Sequence, residues 1–478
     1  MHVERQAAEG LKWSSIAKLL GQGVSWAVTL AVFRLLTPED YGLMALSMVL
    51  LSVVAGVAEF GLGSSLVQMP TLGQREMARV SGALVALNIG CGLVMALGAG
   101  LFARGLGDLR LTPILQVMSL QFVLTAIESV PLSLAQRRMD FKRLAGIELA
   151  ATLLGSLLTL LLAWLGAGVW ALVVGNLSGA ALRTILYVAL GGFIWPSFNF
   201  RGIGPYVRFG GAVTVTRFLW QLTYQADMLV AGRLFTREAV GFYSVSMHLA
   251  TLPMTKVMGV INQVAFPAVA RLQDELPRLR QRVLDALRML ALAAVPGMWG
   301  ISSVAPEFVA VVLGERWQES IVPLQLVSFV APLRMLTAVL ATALTGIGRA
   351  DLELRNTLVG ALVLPSAFLA GAHWGVNGLA FSWACAIPVV LALNFSRTFG
   401  ALGFGFSDLI AATRGPIVAG VVMYAAVTLA RLPLAGFNEL TRLPLLIVVG
   451  AAAYLSVVRI TDRTIWSDAR KLAAAVRG

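Results

Sequence analysis

Apolar residues run along this chain in long unbroken stretches, and polar residues are confined to the short segments between them. Fourteen stretches predict membrane-crossing helices: 12–35, 41–63, 80–102, 112–135, 146–165, 169–191, 209–232, 240–268, 285–304, 321–345, 357–373, 376–395, 410–430 and 443–458. About 20 apolar residues in a helix span the hydrocarbon core of a bilayer. The runs are continuous and rich in Leu, Ala and Val, without the ten-residue alternation of a membrane β-barrel. The pattern predicts an all-α polytopic membrane protein of about 14 transmembrane helices. No connecting segment exceeds 17 residues, so no soluble domain is predicted on either side.

One segment occurs twice. Arg34–Leu50 reads RLLTPEDYGLMALSMVL, and Arg233–Leu249 reads RLFTREAVGFYSVSMHL. Eight of the seventeen positions are identical at an offset of 199, among them Thr37/Thr236, Glu39/Glu238 and Gly42/Gly241. Each copy holds the end of an apolar helix, a five-residue turn, and a glycine that opens the next helix. Six spans separate the copies, so they share an orientation and predict parallel repeats, an organisation common in transporters. The expected domains are an N-terminal lobe over 1–200 (spans one to six) and a C-terminal lobe over 201–396 (spans seven to twelve). The two six-helix lobes are expected to be pseudo-symmetric. Residues 397–478 would add two C-terminal helices and a tail.

Composition sharpens the class. Of 478 residues, 58% are hydrophobic and 13% charged, with a mean hydropathy of +0.82. No soluble core could bury that much apolar surface. The net charge is +13. With the N-terminus taken as cytoplasmic, 22 Lys and Arg fall in inside segments and 7 in outside loops. This is the asymmetry of the positive-inside rule and predicts that both termini are cytoplasmic. Anionic lipid attracts such cations. They are spread over many short loops rather than one patch, which argues against a nucleic-acid partner. Cys91 and Cys385 sit inside apolar runs, and His2, His248 and His373 are scattered. No metal-ligand spacing is present.

The chemistry is expected from charges at bilayer depth. Lys256 and Arg334 each lie more than ten residues from either end of their spans. Arg217 lies eight residues inside span seven, and Lys18 lies in span one. A mid-helix cation costs about 2.5–3.5 kcal/mol even on insertion scales. Such a cost predicts either a water-filled cationic lumen between the lobes or paired acids. Arg217, Lys256, Arg334 and Lys18 are therefore the candidate substrate contacts. Arg34, Arg183, Arg288 and Arg414 lie nearer span ends and read as snorkelling to the interface.

Helical spacing extends the candidate lumen. Thr214, Arg217, Gln221 and Tyr224 share one face of span seven. Lys256 and Gln263 are seven apart on span eight, and Lys18 and Gln22 share a stripe on span one. Gln22, Gln221, Tyr224 and Gln263 are thus candidate polar lining, with ordinary interhelical hydrogen bonding as the competing reading. Asp227 and Glu128 are the carboxylates well inside spans. Either could couple transport to H+ or Na+, or could simply neutralise Arg217 or Lys256. A positive lumen implies an anionic substrate, since Arg and Lys suit phosphate. No cofactor is expected.

Three segments carry a family resemblance. Lys12–Gln68, Gln225–Glu275 and Arg137–Glu148 (RRMDFKRLAGIE) together resemble Wzx-type polysaccharide flippases. They are most similar to the colanic-acid and teichuronic-acid exporter branch of the multidrug/oligosaccharidyl-lipid/polysaccharide exporter superfamily. The resemblance runs from about residue 10 to residue 400. It implies a bacterial inner-membrane transporter and not an enzyme. The implied partner is an undecaprenyl-diphosphate-linked oligosaccharide, moved to the periplasmic leaflet for lipopolysaccharide or exopolysaccharide assembly alongside polymerase machinery. Two other functions compete. A cation-coupled multidrug exporter would favour an acidic lumen, whereas cations exceed acids at depth here. A membrane glycan polymerase or ligase would need a large outward loop, and the largest, Ala305 to Ser320, carries only Glu307, Glu315, Arg316 and Glu319.

Overall fold

The computed structural model describes residues 23, 27–58, 73–138, 140–191, 194–199, 218–219, 221–270 and 275–461. Every regular element among them is helical. In chain order these are α1 (Pro38–Ala58), α2 (Gln74–Leu106), α3 (Leu111–Met118), α4 (Leu120–Arg137), α5 (Phe141–Trp164), α6 (Val169–Gly191), α7 (Ala226–Leu234) and α8 (Arg237–Ala270). They continue as α9 (Leu276–Ser303), α10 (Ala305–Phe308), α11 (Ile321–Gly346), α12 (Ala350–Gly371), α13 (Gly375–Leu402), α14 (Phe406–Arg431) and α15 (Glu439–Thr461).

Ten stretches of the described residues are long and apolar enough to cross a membrane. One of them, Asp351–Leu402, holds both α12 and α13, so eleven of the fourteen expected spans lie on such helices. Span eight falls on α8, the second half of span seven leads into and includes most of α7, and span one lies largely outside the described residues. Large apolar side chains such as Leu97, Leu362 and Ile460 are exposed, on a scale that only a lipid surface covers. The chain is a multi-pass membrane protein.

Two expectations change locally. Span four is broken into α3 and α4 at Ser119, whose hydroxyl donates to the Gln116 carbonyl at 2.6 Å; such local bonds compete with the helix ladder. The loop expected over 305–320 is folded, through α10, a π turn over Val309–Leu313 and a 3-10 turn over Glu315–Ser320. Trp317 within it is fully buried.

The chain divides into two compact units, Met1–Gly241 and Phe242–Gly478. The lobe boundary expected at 200/201 lies outside the described residues. Close helix approach in the first unit depends on glycine. On α6, Gly175 and Gly179 form a small-xxx-small pair; a Cβ at Gly179 would meet the Ala151 carbonyl of α5 at 3.0 Å. Without a hydrophobic drive between helices in lipid, such backbone proximity is a main source of packing energy.

The repeated segments pack on each other within this unit. A Cβ at Gly42 would lie 2.8 Å from the carbonyl carbon of Arg237 and would overlap its oxygen. A Cβ at Gly241 would lie 2.6 Å from the carbonyl carbon of Pro38 and would overlap that oxygen. Pro38 and Arg237 are themselves 199 residues apart. Each copy does to the other what the other does to it, which is the geometry of a local two-fold contact.

In the second unit, α9, α11 and α13 share a core that includes Leu287, Met298, Met335 and Phe399. The extra pair α14–α15 joins it through Val295, Ala419, Met423 and Tyr454.

Candidate functional site

Arg334 sits at the middle of α11 and is 6% exposed. Its guanidinium carbon lies 3.9 Å from the ring centre of Trp383 on α13. The indole N–H of Trp383 donates to the Tyr243 hydroxyl of α8 at 3.0 Å. Phe368 of α12 backs the indole, with ring centres 4.9 Å apart. Four helices of the second unit thus build an aromatic shelf under one cation. A desolvated cation–π contact is worth about 2 kcal/mol, close to the cost of placing the charge at depth. The shelf sets the guanidinium against the indole ring.

In the first unit, Glu128 of α4 meets Arg183 of α6 by two bonds, 2.9 and 3.1 Å, and accepts from the Thr184 hydroxyl at 3.0 Å. Tyr187, one turn on, donates to Glu148 of α5 at 2.7 Å. Arg183 was expected to reach the interface; it instead turns onto Glu128, because a carboxylate on the neighbouring helix is nearer than water. The sequence reading had offered Arg217 or Lys256 as that partner. Glu128→Gln should leave Arg183 without its counter-charge. The expected loss is about 2 kcal/mol, below that of a fully buried pair because Arg183 is partly exposed. Thermal unfolding of the purified protein, with Glu128→Gln/Arg183→Met as the restoring double variant, measures it.

Asp227 is 1% exposed at the start of α7, where its carboxylate accepts the Met228 N–H at 2.7 Å. Gln221 and Tyr224 are half-buried in the turn before it. The neighbouring Gln225 donates to the Ser52 hydroxyl of α1 at 3.1 Å. Lys18, Gln22 and Arg217 lie outside the described residues. Lys256 and Gln263 fall on α8, but their side chains lie outside the description as well.

A further cation was missed from sequence. Arg237 opens α8 in what reads as an outer turn, yet it is 8% exposed. It donates to Asp108 at 3.3 Å, to the Gly232 carbonyl at 2.9 Å and to the Leu106 carbonyl. Asp108 also accepts from Arg110, which reaches Glu39 at 2.8 Å. The four side chains clasp the α2–α3 turn to both copies of the repeat. The Arg110 hydrogen bond holds the Asp108 carboxyl below its usual range. A depressed carboxyl contributes stability above its unfolded value, near 3.9, and loses it as pH falls through the folded value. Acidification from pH 7 to pH 5 should therefore leave the clasp intact, while Asp108→Asn should lower the melting temperature at both.

The profile of a family described as polysaccharide biosynthesis protein matches residues 31–322. The lipopolysaccharide biosynthesis protein WzxC of Escherichia coli (strain K12) is 26% identical over 387 residues, covering 79% of this chain and 78% of that protein. The succinoglycan biosynthesis transport protein ExoT of Rhizobium meliloti (strain 1021) is 25% identical over 485 residues, covering 98% and 96%. Among solved structures, the lipid II flippase MurJ in an inward closed conformation matches with a TM-score of 0.73 at 14% identity, over 95% of this chain and 99% of that one. An inward-facing multidrug resistance MATE family transporter of the MOP superfamily matches with a TM-score of 0.64 at 15% identity, over 79% and 94%. At these identities the two structures speak to the fold.

Proposed function

This chain belongs to the polysaccharide biosynthesis protein family, and on that premise we propose that it is a flippase for lipid-linked oligosaccharides. It moves undecaprenyl-diphosphate-linked repeat units from the cytoplasmic to the periplasmic leaflet of the bacterial inner membrane by alternating access. Its relatives are named for lipopolysaccharide biosynthesis and succinoglycan transport, which supports carriage rather than catalysis. The charge asymmetry of the loops supports cytoplasmic termini.

The observation that carries the substrate class is Arg334. A diphosphate that leaves water must have its hydration replaced, and the Arg334 guanidinium over the Trp383 ring brings a buried positive charge suited to that task. Lys18, Arg217 and Lys256 are proposed to act with it, with Gln22, Gln221, Tyr224 and Gln263 meeting the glycan hydroxyls. If transport is ion-coupled, Asp227 and Glu128 are the proposed H+ or Na+ sites.

The test is a strain lacking this protein. Lipid-linked repeat units should accumulate on the cytoplasmic leaflet and surface polysaccharide should vanish. Undiminished surface polysaccharide would reject the reading. The MATE-like fold keeps one alternative, a drug exporter, and normal polysaccharide with raised drug sensitivity would select it.

A further inference from the structure

We propose that a cavity at the charged end of α9 and α14 binds the headgroup of a phospholipid that carries both a phosphate and an ammonium, a phosphoethanolamine lipid. The cavity measures about 600 Å³ and lies between the first turns of α9 and the α13–α14 turn. Its polar lining is Arg280, Gln281, Asp285 and Arg288 of α9 with Asp408 of α14. This site is separate from Arg334 and independent of what the protein transports.

Position is the first reason. α9 carries Arg278, Arg280, Arg282, Asp285 and Arg288, and the next charged residue is Glu307. α14 carries Asp408 and Arg414, and the next is Arg431. The two helices run side by side in the same direction: Arg280 meets Asp408 at 2.9 Å, and further along Gly420 lies against Val295 and Trp299. Charged helix ends give way to apolar spans at the level of lipid headgroups. The cavity opens at that level.

Charge is the second reason. The lining holds two guanidiniums and two carboxylates, so its formal charge is zero. Arg280 and Asp408 are joined to each other. Asp285 and Arg288 follow three residues apart on the same face, and Gln281 donates to Asp285 at 3.0 Å, which fixes the carboxylate. A wholly anionic headgroup would meet Asp285 with like charge. A zwitterion complements both charges: its phosphate faces Arg288, and its ammonium N–H groups donate to Asp285. Leu284 and the α14 alanines give the glycerol end an apolar wall. A choline headgroup has no ammonium N–H to donate and should bind less well.

The experiment is native mass spectrometry of the purified full chain in micelles with equimolar phosphatidylethanolamine, phosphatidylglycerol and phosphatidylcholine. Phosphatidylethanolamine should be retained about tenfold over both others, a difference of about 1.4 kcal/mol. Asp285→Asn should erase its preference over phosphatidylcholine. Arg288→Gln should weaken all three, since each carries the phosphate. Ala411→Phe, which fills the cavity without touching a charge, should do the same and stands in if a charge variant folds poorly. Equal retention of the three lipids, preference for phosphatidylglycerol, or an unchanged preference in Asp285→Asn would each overturn the proposal. So would stabilisation by soluble glycerophosphoethanolamine equal to that by the lipid, because the ligand would then be a free metabolite.

Discussion

Alanine at Gly42 is expected to destabilise the protein by about 3 kcal/mol or more, at the upper end of ordinary overpacking. The obstacle is backbone rather than a side chain: the new Cβ meets the Arg237 carbonyl group. No rotamer can relieve it, so α1 and the start of α8 must separate. Separation would also strain the Arg237–Asp108 clasp. Gly241→Ala should cost as much, because Pro38 stands in the same relation to it. Since both substitutions force the same two helices apart, the double variant should cost less than the sum of the singles. Gly90→Ala is the control. It lies in α2 with nothing within 4 Å of the added Cβ, and helix propensity favours it by about 0.5–1 kcal/mol. Thermal unfolding in detergent reads all four. Gly42→Ala with an unchanged midpoint would show that the repeats do not pack in this way.

Arg334→Met should abolish most transport while leaving the fold as stable as before or more so. The two effects have opposite signs for a physical reason. A buried charge is costly, and a well-packed apolar replacement of similar volume is often stabilising by about 1–4 kcal/mol. A hydrogen bond to a charged group is worth about 1.5–3 kcal/mol, so losing one to a diphosphate should slow transport at least tenfold. Arg334→Lys keeps a charge but loses the guanidinium that sits over Trp383, and should retain partial transport. Arg334→Glu should retain none. The readout is surface polysaccharide restored in a deletion strain, normalised to membrane protein level, with thermal unfolding measured in parallel. Full complementation by Arg334→Met would remove the charge from the mechanism. A falling midpoint with intact transport per molecule would make Arg334 a structural residue.

The sequence by itself determined the class of molecule. Hydrophobic runs of the right length leave one solution in lipid, because every backbone N–H and C=O must be satisfied within the helix. The runs therefore located α1, α2, α4 to α6, α9 and α11 to α15, but missed some ends by up to nine residues, as where α9 begins at Leu276 in a charged turn outside its apolar run. The repeat at offset 199 was also legible, since it is a property of one dimension. The depth of Arg334 could be counted from the ends of its span, and that depth marked it as unusual. Counting stops at the helix surface. Which neighbour a side chain faces depends on how each helix is rotated and crossed, and no periodicity records that. Trp383 and Tyr243 lie 49 and 91 residues from Arg334, and only packing brings them together. Arg183 read as a snorkelling cation until α4 placed Glu128 beside it. Arg237 read as an exposed loop residue until the Gly42/Gly241 crossing enclosed it with Asp108. Hydrophobicity fixes how deep a residue lies, because lipid and water differ everywhere along the chain in the same way. Partners are fixed by close contact between helices, where a single missing Cβ decides whether two backbones can touch.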